Sequence, residues 1–99
     1  MIKLSLPKII AHRGASAYAP ENTLVALRLA AELGATWIEF DVMLTKDDEV
    51  IIMHDETLDR TTNGKGEIAQ TQYQDIAKLD AGSWFNKQFA NEHVPTLYE

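Results

Sequence analysis

The stretch Trp37-Ile38-Glu39-Phe40-Asp41-Val42-Met43-Leu44 decides the fold. In an extended chain successive side chains point to opposite faces. Ile38, Phe40, Val42 and Leu44 therefore share one face, and Trp37, Glu39, Asp41 and Met43 share the other. One strand is apolar on one side and carries two carboxylates on the other. Two carboxylates on a common face repel each other and resist desolvation, so burial would demand a cation or hydrogen-bond donors. The plainer alternative is a solvated edge, against which Trp37 and Met43 on the same face argue.

Upstream, Lys8 to Ala11 reads as a short buried strand with His12 just after it, and Ala15 to Pro20 as a loop of small residues. Asn22 or Thr23 can cap the helix that follows, because their side-chain oxygens accept from free backbone N–H groups. Leu24, Leu27 and Ala31 recur at helical spacing as its apolar stripe. Gly34 suits the left-handed position at its end. Strand, helix and strand in this order are a βα start, the unit from which parallel sheets are built.

Downstream, Val50 to Met53 is a further strand ending at His54. Thr45 to Glu49 is too short for a parallel crossover, which needs about a dozen residues, so the return is an antiparallel hairpin. With Asp47 and Asp48 as its loop, His54 is expected directly opposite Asp41 and on the carboxylate face. A slip of one residue would put His54 beside Phe40 instead.

From Asp55 to about Asn91 the pattern is irregular. Asn63-Gly64 with Gly66 marks a turn. Thr71 and Gln74 form a capping box ahead of a short helix with Tyr73, Ile76 and Leu79 on one side. Trp84, Phe85 and Phe89 suffice for a small aromatic cluster. Thr96 and Glu99 read as a second capping box, the start of another helix.

Composition bounds the function. Fifteen acidic against nine basic residues give a net charge of −6, which disfavours nucleic acid and anionic membranes, since both require a basic patch. A phosphate substrate stays open, because one placed Arg with a metal overcomes the mean field locally. The absence of Cys removes disulfide and thiolate–zinc chemistry. The start lacks a signal peptide's apolar run and no apolar run is long enough to span a membrane, so cytoplasmic residence is the default expectation.

Two His, one Arg and two carboxylates thus fall at or near strand ends: His12, Arg13, Glu39, Asp41 and His54. Carboxylate oxygens suit a hard cation such as magnesium or calcium. Two imidazoles can divide general acid and base roles near neutral pH, and the Arg fork matches phosphate oxygens. The set fits phosphoryl transfer with a metal as Lewis acid. His93, beside Glu92 in a polar stretch, reads as a surface residue without a role.

The segments His12-Arg13-Gly14, Pro20-Glu21-Asn22-Thr23, Glu39-Phe40-Asp41, His54-Asp55, Thr57 through Gly66, Asp80 through Phe85 and Val94 through Leu97 resemble, in order and spacing, the glycerophosphodiester phosphodiesterase family. The match runs from Ile9 to the end. The resemblance implies the N-terminal part of a (β/α)₈ TIM barrel of the phospholipase C-like phosphodiesterase type, with its site at the C-terminal strand ends. It implies that His12 and His54 are the acid–base pair, that Arg13 holds the phosphate, and that Glu39 and Asp41 ligate one divalent ion, calcium or magnesium. It further implies that residues from about 55 to 91 are the family's small insertion over the site. The reaction implied is hydrolysis of a glycerophosphodiester to glycerol 3-phosphate and an alcohol, with the substrate's own hydroxyl attacking phosphorus to give a cyclic phosphate that water opens.

A barrel of this kind takes about 250 residues. Residues 1–99 are accordingly expected to be a truncated, incomplete piece of such a domain. Made alone, they are expected to be neither a stable barrel nor an active enzyme, with a further carboxylate ligand and a Lys on strands beyond Glu99. The rival readings are a phospholipase D-like or lysophospholipase D-like enzyme on the same barrel, and a non-catalytic truncated product.

Overall fold

The computed structural model describes residues 10–35 and 37–98. Two short sheets and one main helix organise them. Strand β1 (Ile10–His12) pairs in parallel with β2 (Trp37–Glu39), with His12 level with Glu39. Helix α1 (Leu24–Glu32) connects them, so the βα start expected from the sequence is present. The Lys8–Ile9 portion of the first expected strand lies outside the described residues.

Helix α1 shows how local chemistry sets both ends. Thr23 is the N-cap, its Oγ1 accepting from the Ala26 N–H at 3.3 Å, and Glu92 Oε1 accepts from the Val25 N–H at 3.2 Å. Two of the unpaired donors of the first turn are thereby satisfied, one of them by a residue far along the chain. At the other end Gly34 adopts φ +90°. Its N–H bonds to the Ala31 carbonyl and that of Ala35 to Ala30, the doubly closed end that a left-handed glycine permits. The buried stripe differs from the expected one. Ala26 and Ala30 are buried, Leu24 and Leu27 are half-buried and Ala31 is exposed. Small residues face inward because the helix closely approaches the turn around Gly14.

That turn allows little else. Gly14 has φ +78°, and a Cβ there would lie 2.7 Å from the Ala26 carbonyl carbon. Gly14→Ala should cost about 2–4 kcal/mol, combining left-handed strain with backbone overpacking. Urea unfolding measures this, and an unchanged midpoint would show that the helix can move away freely.

The long strand Trp37–Leu44 is divided. β2 keeps to β1, whereas β3 (Val42–Leu44) pairs antiparallel with β4 (Val50–Ile52). Pairing changes partner around Phe40 and Asp41: the Glu39 carbonyl accepts from Arg13 N–H, and the Asp41 carbonyl accepts from Met53 N–H. Side-chain alternation survives the break. Ile38, Phe40, Val42 and Leu44 are all between 36% and 55% exposed, an apolar face with no cover from the described residues.

The hairpin register is one residue off the expected one. Val42 opposes Ile52 and Leu44 opposes Val50, and Thr45 bonds to Glu49, leaving a three-residue loop. The cause is Thr45. Its Oγ1 donates to Asp47 Oδ1 at 2.6 Å and accepts from the Glu49 N–H at 3.0 Å, while Asp48 takes φ +63°. A hairpin loop of three residues closing through a left-handed third residue is a favoured solution, and Asp tolerates that conformation. Asp41 therefore faces Met53, and His54 follows where the ladder ends.

Ile51, Met53, Leu58, Ile68, Ile76, Ala81 and Val94 form the core, with Met43, Tyr73 and Leu79 against it. The hairpin and residues 56–94 thus bury each other's apolar side chains. Pro95 to Leu97 runs beside β4, through Ile52 N–H to the Pro95 carbonyl, Leu97 N–H to the Val50 carbonyl and a bridge between Ile51 and Thr96. Thr96 is buried there; the helix start expected from Thr96 and Glu99 turns on a residue outside those described. The Thr71–Gln74 capping box does not form. Gln72 is the N-cap of α2 (Tyr73–Ile76) without a side-chain cap, Thr71 Oγ1 bonds to the Glu67 carbonyl, and Asp47 of the hairpin loop accepts from Tyr73 N–H. Trp84, Phe85 and Phe89 do cluster, with successive ring centroids 5.8 Å apart in edge contacts. His93 is half-buried rather than on the surface.

Candidate active site

Every candidate residue named from sequence sits at the end of a strand, or in the turn after one, and most are joined in one polar network. His12, the last residue of β1, places Nε2 3.0 Å from Glu39 Oε2, its register partner on β2. Arg13 follows in a left-handed conformation, φ +57°, which is uncommon outside Gly and Asn and concentrates where surrounding structure enforces it. Here the backbone does so: Arg13 N–H bonds to the Glu39 carbonyl at 2.6 Å, and the Arg13 carbonyl accepts from Asn22 N–H at 2.9 Å.

The Arg13 guanidinium lies between two carboxylates. Nη1 donates to Glu21 Oε2 at 3.2 Å, and Nε is 3.7 Å from Asp41 Oδ2. Asn22, also left-handed at φ +56° and 97% buried, donates through Nδ2 to the same Asp41 oxygen at 3.3 Å. On the far side, His54 Nδ1 lies 2.9 Å from Asp55 Oδ1. Arg60 then ties both halves together. It donates to Glu21 through Nη1 and Nη2 at 2.8 and 2.9 Å, and to Asp55 through Nε and Nη2 at 2.8 and 3.0 Å. These bonds hold the Asp55 carboxyl down at about 2, the Arg60 hydrogen bond acting most strongly. In return they push the Arg60 guanidinium up, first through Asp55 and then through Glu21. The pair is fully ionised at neutral pH.

Of the five candidates, the structure joins His12 to Glu39 and Arg13 to Asp41 directly, and reaches His54 through Asp55, Arg60 and Glu21. His54 does not stand opposite Asp41, because the hairpin register gives that place to Met53. Glu21, Asn22, Asp55 and Arg60 received no role in the site from the sequence. The available signal was their place in the segments Pro20-Glu21-Asn22-Thr23, His54-Asp55 and Thr57 through Gly66, which carry the family resemblance.

Glu39 and Asp41 supply oxygen donors suited to a hard cation. Glu39 Oε1 is buried and has no hydrogen-bond partner, and the same holds of Asn22 Oδ1 and Arg13 Nε. A buried carboxylate oxygen without a donor is costly unless a cation meets it, so these residues fit part of a metal's shell. Among the described residues no group of three His, Asp or Glu converges on a single such point.

A parallel βα opening, with a guanidinium, an imidazole and a carboxylate at its strand ends and a second imidazole after the hairpin beside it, is an α/β arrangement. Comparison with known proteins makes the assignment specific: the chain belongs to the glycerophosphoryl diester phosphodiesterase family, whose model matches residues 12–99. It is 55% identical over 91 residues to a glycerophosphodiester phosphodiesterase of Caldanaerobacter subterraneus, covering 92% of this chain and 37% of that protein. An Oleispira antarctica phosphodiesterase, solved in complex with the product sn-glycerol-3-phosphate, is 50% identical with a TM-score of 0.93, over 95% of this chain and 38% of that one. A glycerophosphodiester phosphodiesterase from Agrobacterium tumefaciens is 48% identical with a TM-score of 0.90, over 93% of this chain and 40% of that one. The chain spans a little over a third of the length of these relatives, and its fold is the N-terminal part of their (β/α)₈ barrel. Among the described residues no helix is long and apolar enough to cross a membrane.

Proposed function

We propose that the full-length protein containing this chain hydrolyses glycerophosphodiesters to glycerol 3-phosphate and an alcohol, with a divalent metal ion, calcium or magnesium, bound in part by Glu39 and Asp41. The observation that carries the reading is the chain of contacts from Asp41 through Arg13, Glu21, Arg60 and Asp55 to His54, with His12 on Glu39 beside it. The reading takes the guanidinium as the anion-binding group, the two imidazoles as the proton-transferring groups and the carboxylates Glu39 and Asp41 as the cation-binding groups. The relative holding sn-glycerol-3-phosphate supports the substrate class.

Arg13 orients the phosphate, its side chain steered by Glu21 and its backbone locked to β2. One imidazole takes the proton from the attacking glycerol hydroxyl as the oxygen–phosphorus bond forms. The other gives a proton to the departing alcohol oxygen as its bond to phosphorus breaks. The two then exchange roles as water opens the cyclic phosphate, restoring both protonation states. The bound metal ion would neutralise charge on the phosphate oxygens. Residues 55–91, packed on the hairpin, would bound the alcohol side of the site as the family's insertion. Residues 1–99 alone would lack part of this machinery.

The test is turnover of glycerophosphocholine by the full-length protein, with release of glycerol 3-phosphate, loss of activity on chelation and recovery with magnesium or calcium. Release of choline phosphate in place of glycerol 3-phosphate, or turnover indifferent to chelation, would refute it.

A further inference from the structure

We infer that Arg60 is a positioning residue that holds the acid–base group His54 and the phosphate-binding Arg13 in fixed relation, through Asp55 on one side and Glu21 on the other. The inference rests on the proposed function of the site. Its support is the geometry of one guanidinium. Arg60 makes two double-donor contacts at once: the Nη1/Nη2 edge with Glu21 and the Nε/Nη2 edge with Asp55, all between 2.8 and 3.0 Å. A planar fork satisfied along two edges fixes both carboxylates in its own plane, which a single point charge cannot do.

Each carboxylate passes that orientation on. Asp55 Oδ1, bonded to Arg60 Nη2, is the oxygen that meets His54 Nδ1 at 2.9 Å. Glu21 Oε2, also bonded to Arg60 Nη2, is the oxygen that accepts from Arg13 Nη1. Thus one nitrogen of Arg60 faces the two oxygens that steer the two working side chains. The ion pairs themselves need not matter for stability, since the Arg60 side chain is 46% exposed and such pairs contribute little in water.

The two arms differ in dependence. Arg13 keeps its backbone lock to Glu39 and Asn22 and the nearby Asp41 carboxylate without Arg60. Among the described residues the Asp55 carboxylate meets the side chains of Arg60 and His54, so loss of Arg60 loosens chiefly the His54 arm. The cost should therefore fall on turnover more than on substrate binding.

In the full-length protein with glycerophosphocholine and saturating metal, Arg60→Met should lower kcat roughly ten- to a hundredfold, the scale of an ångström-level misplacement of a reacting group. KM should change by less than about threefold. Arg60→Lys, which keeps the charge but not the planar fork, should recover little of the loss, and both variants should melt close to the wild type. The assignment is overturned if Arg60→Met keeps kcat near wild type, if Arg60→Lys restores it, or if the loss only tracks a fall in folded protein. His54→Ala, assayed alongside, separates the two readings. Its collapse with Arg60→Met unaffected overturns the Arg60 assignment alone, whereas full turnover in His54→Ala overturns the acid–base role of His54 on which the assignment rests.

Discussion

His12→Ala and His54→Ala, each made in the full-length protein, are expected to lower kcat by roughly 10² to 10⁴, the range that a positioned acid or base contributes. The two imidazoles sit in different surroundings. His12 is fixed by its ladder position, one bond from Glu39 on the neighbouring strand. His54 lies past the end of β4 and depends on Asp55 for its orientation. Neither is part of the apolar core, so truncation should leave the fold intact and the loss should appear in turnover. The measurement is steady-state kinetics at saturating metal with a melting curve for each variant. Near-normal kcat in either one would remove that residue from the acid–base pair.

Glu39→Gln and Asp41→Asn should raise the metal concentration for half-maximal activity by about tenfold or more, with activity partly recovered at high metal. The amides keep the side-chain volume, and Asp41→Asn can still accept from Asn22, so packing is largely preserved. What they remove is the negative charge facing a cation. Glu39 has the sharper expectation, because its Oε1 is buried without a donor. Titration of activity against magnesium and calcium checks this, and the metal-free melting temperature supplies a second readout. Unchanged half-saturation in both variants would make these carboxylates structural.

Much of the fold could be read from the chain because its signals are local. The cap at Thr23 and the glycine end at Gly34 follow from chemistry within a few residues. The two faces of the long strand follow from period-two alternation, which held from Ile38 to Leu44 even where the strand was divided. The candidates His12, Arg13, Glu39, Asp41 and His54 could be named because each flanks a strand.

Other features depended on partners distant in sequence. The Tyr73 N–H is capped by Asp47 and not by Thr71, because the hairpin loop arrives there only when the core closes. Helix α1 turns small residues inward because the Gly14 turn packs on Ala26, a contact that hydrophobic periodicity does not reveal.

The sequence by itself determined the βα start, the antiparallel return and the chemical types gathered at the strand ends, since each is written in short-range pattern and residue chemistry. Tertiary structure decided the hairpin register, in which Thr45 and Asp48 close a three-residue loop and set Met53, not His54, against Asp41. It also decided the linkage of His54 to Arg13 through Asp55, Arg60 and Glu21. Arg13 and Glu21 come from the loop after β1, and Asp55 and Arg60 from the segment after β4; the bonds that join the two, from Arg60 to Glu21, span 39 residues of chain and exist only in the folded structure.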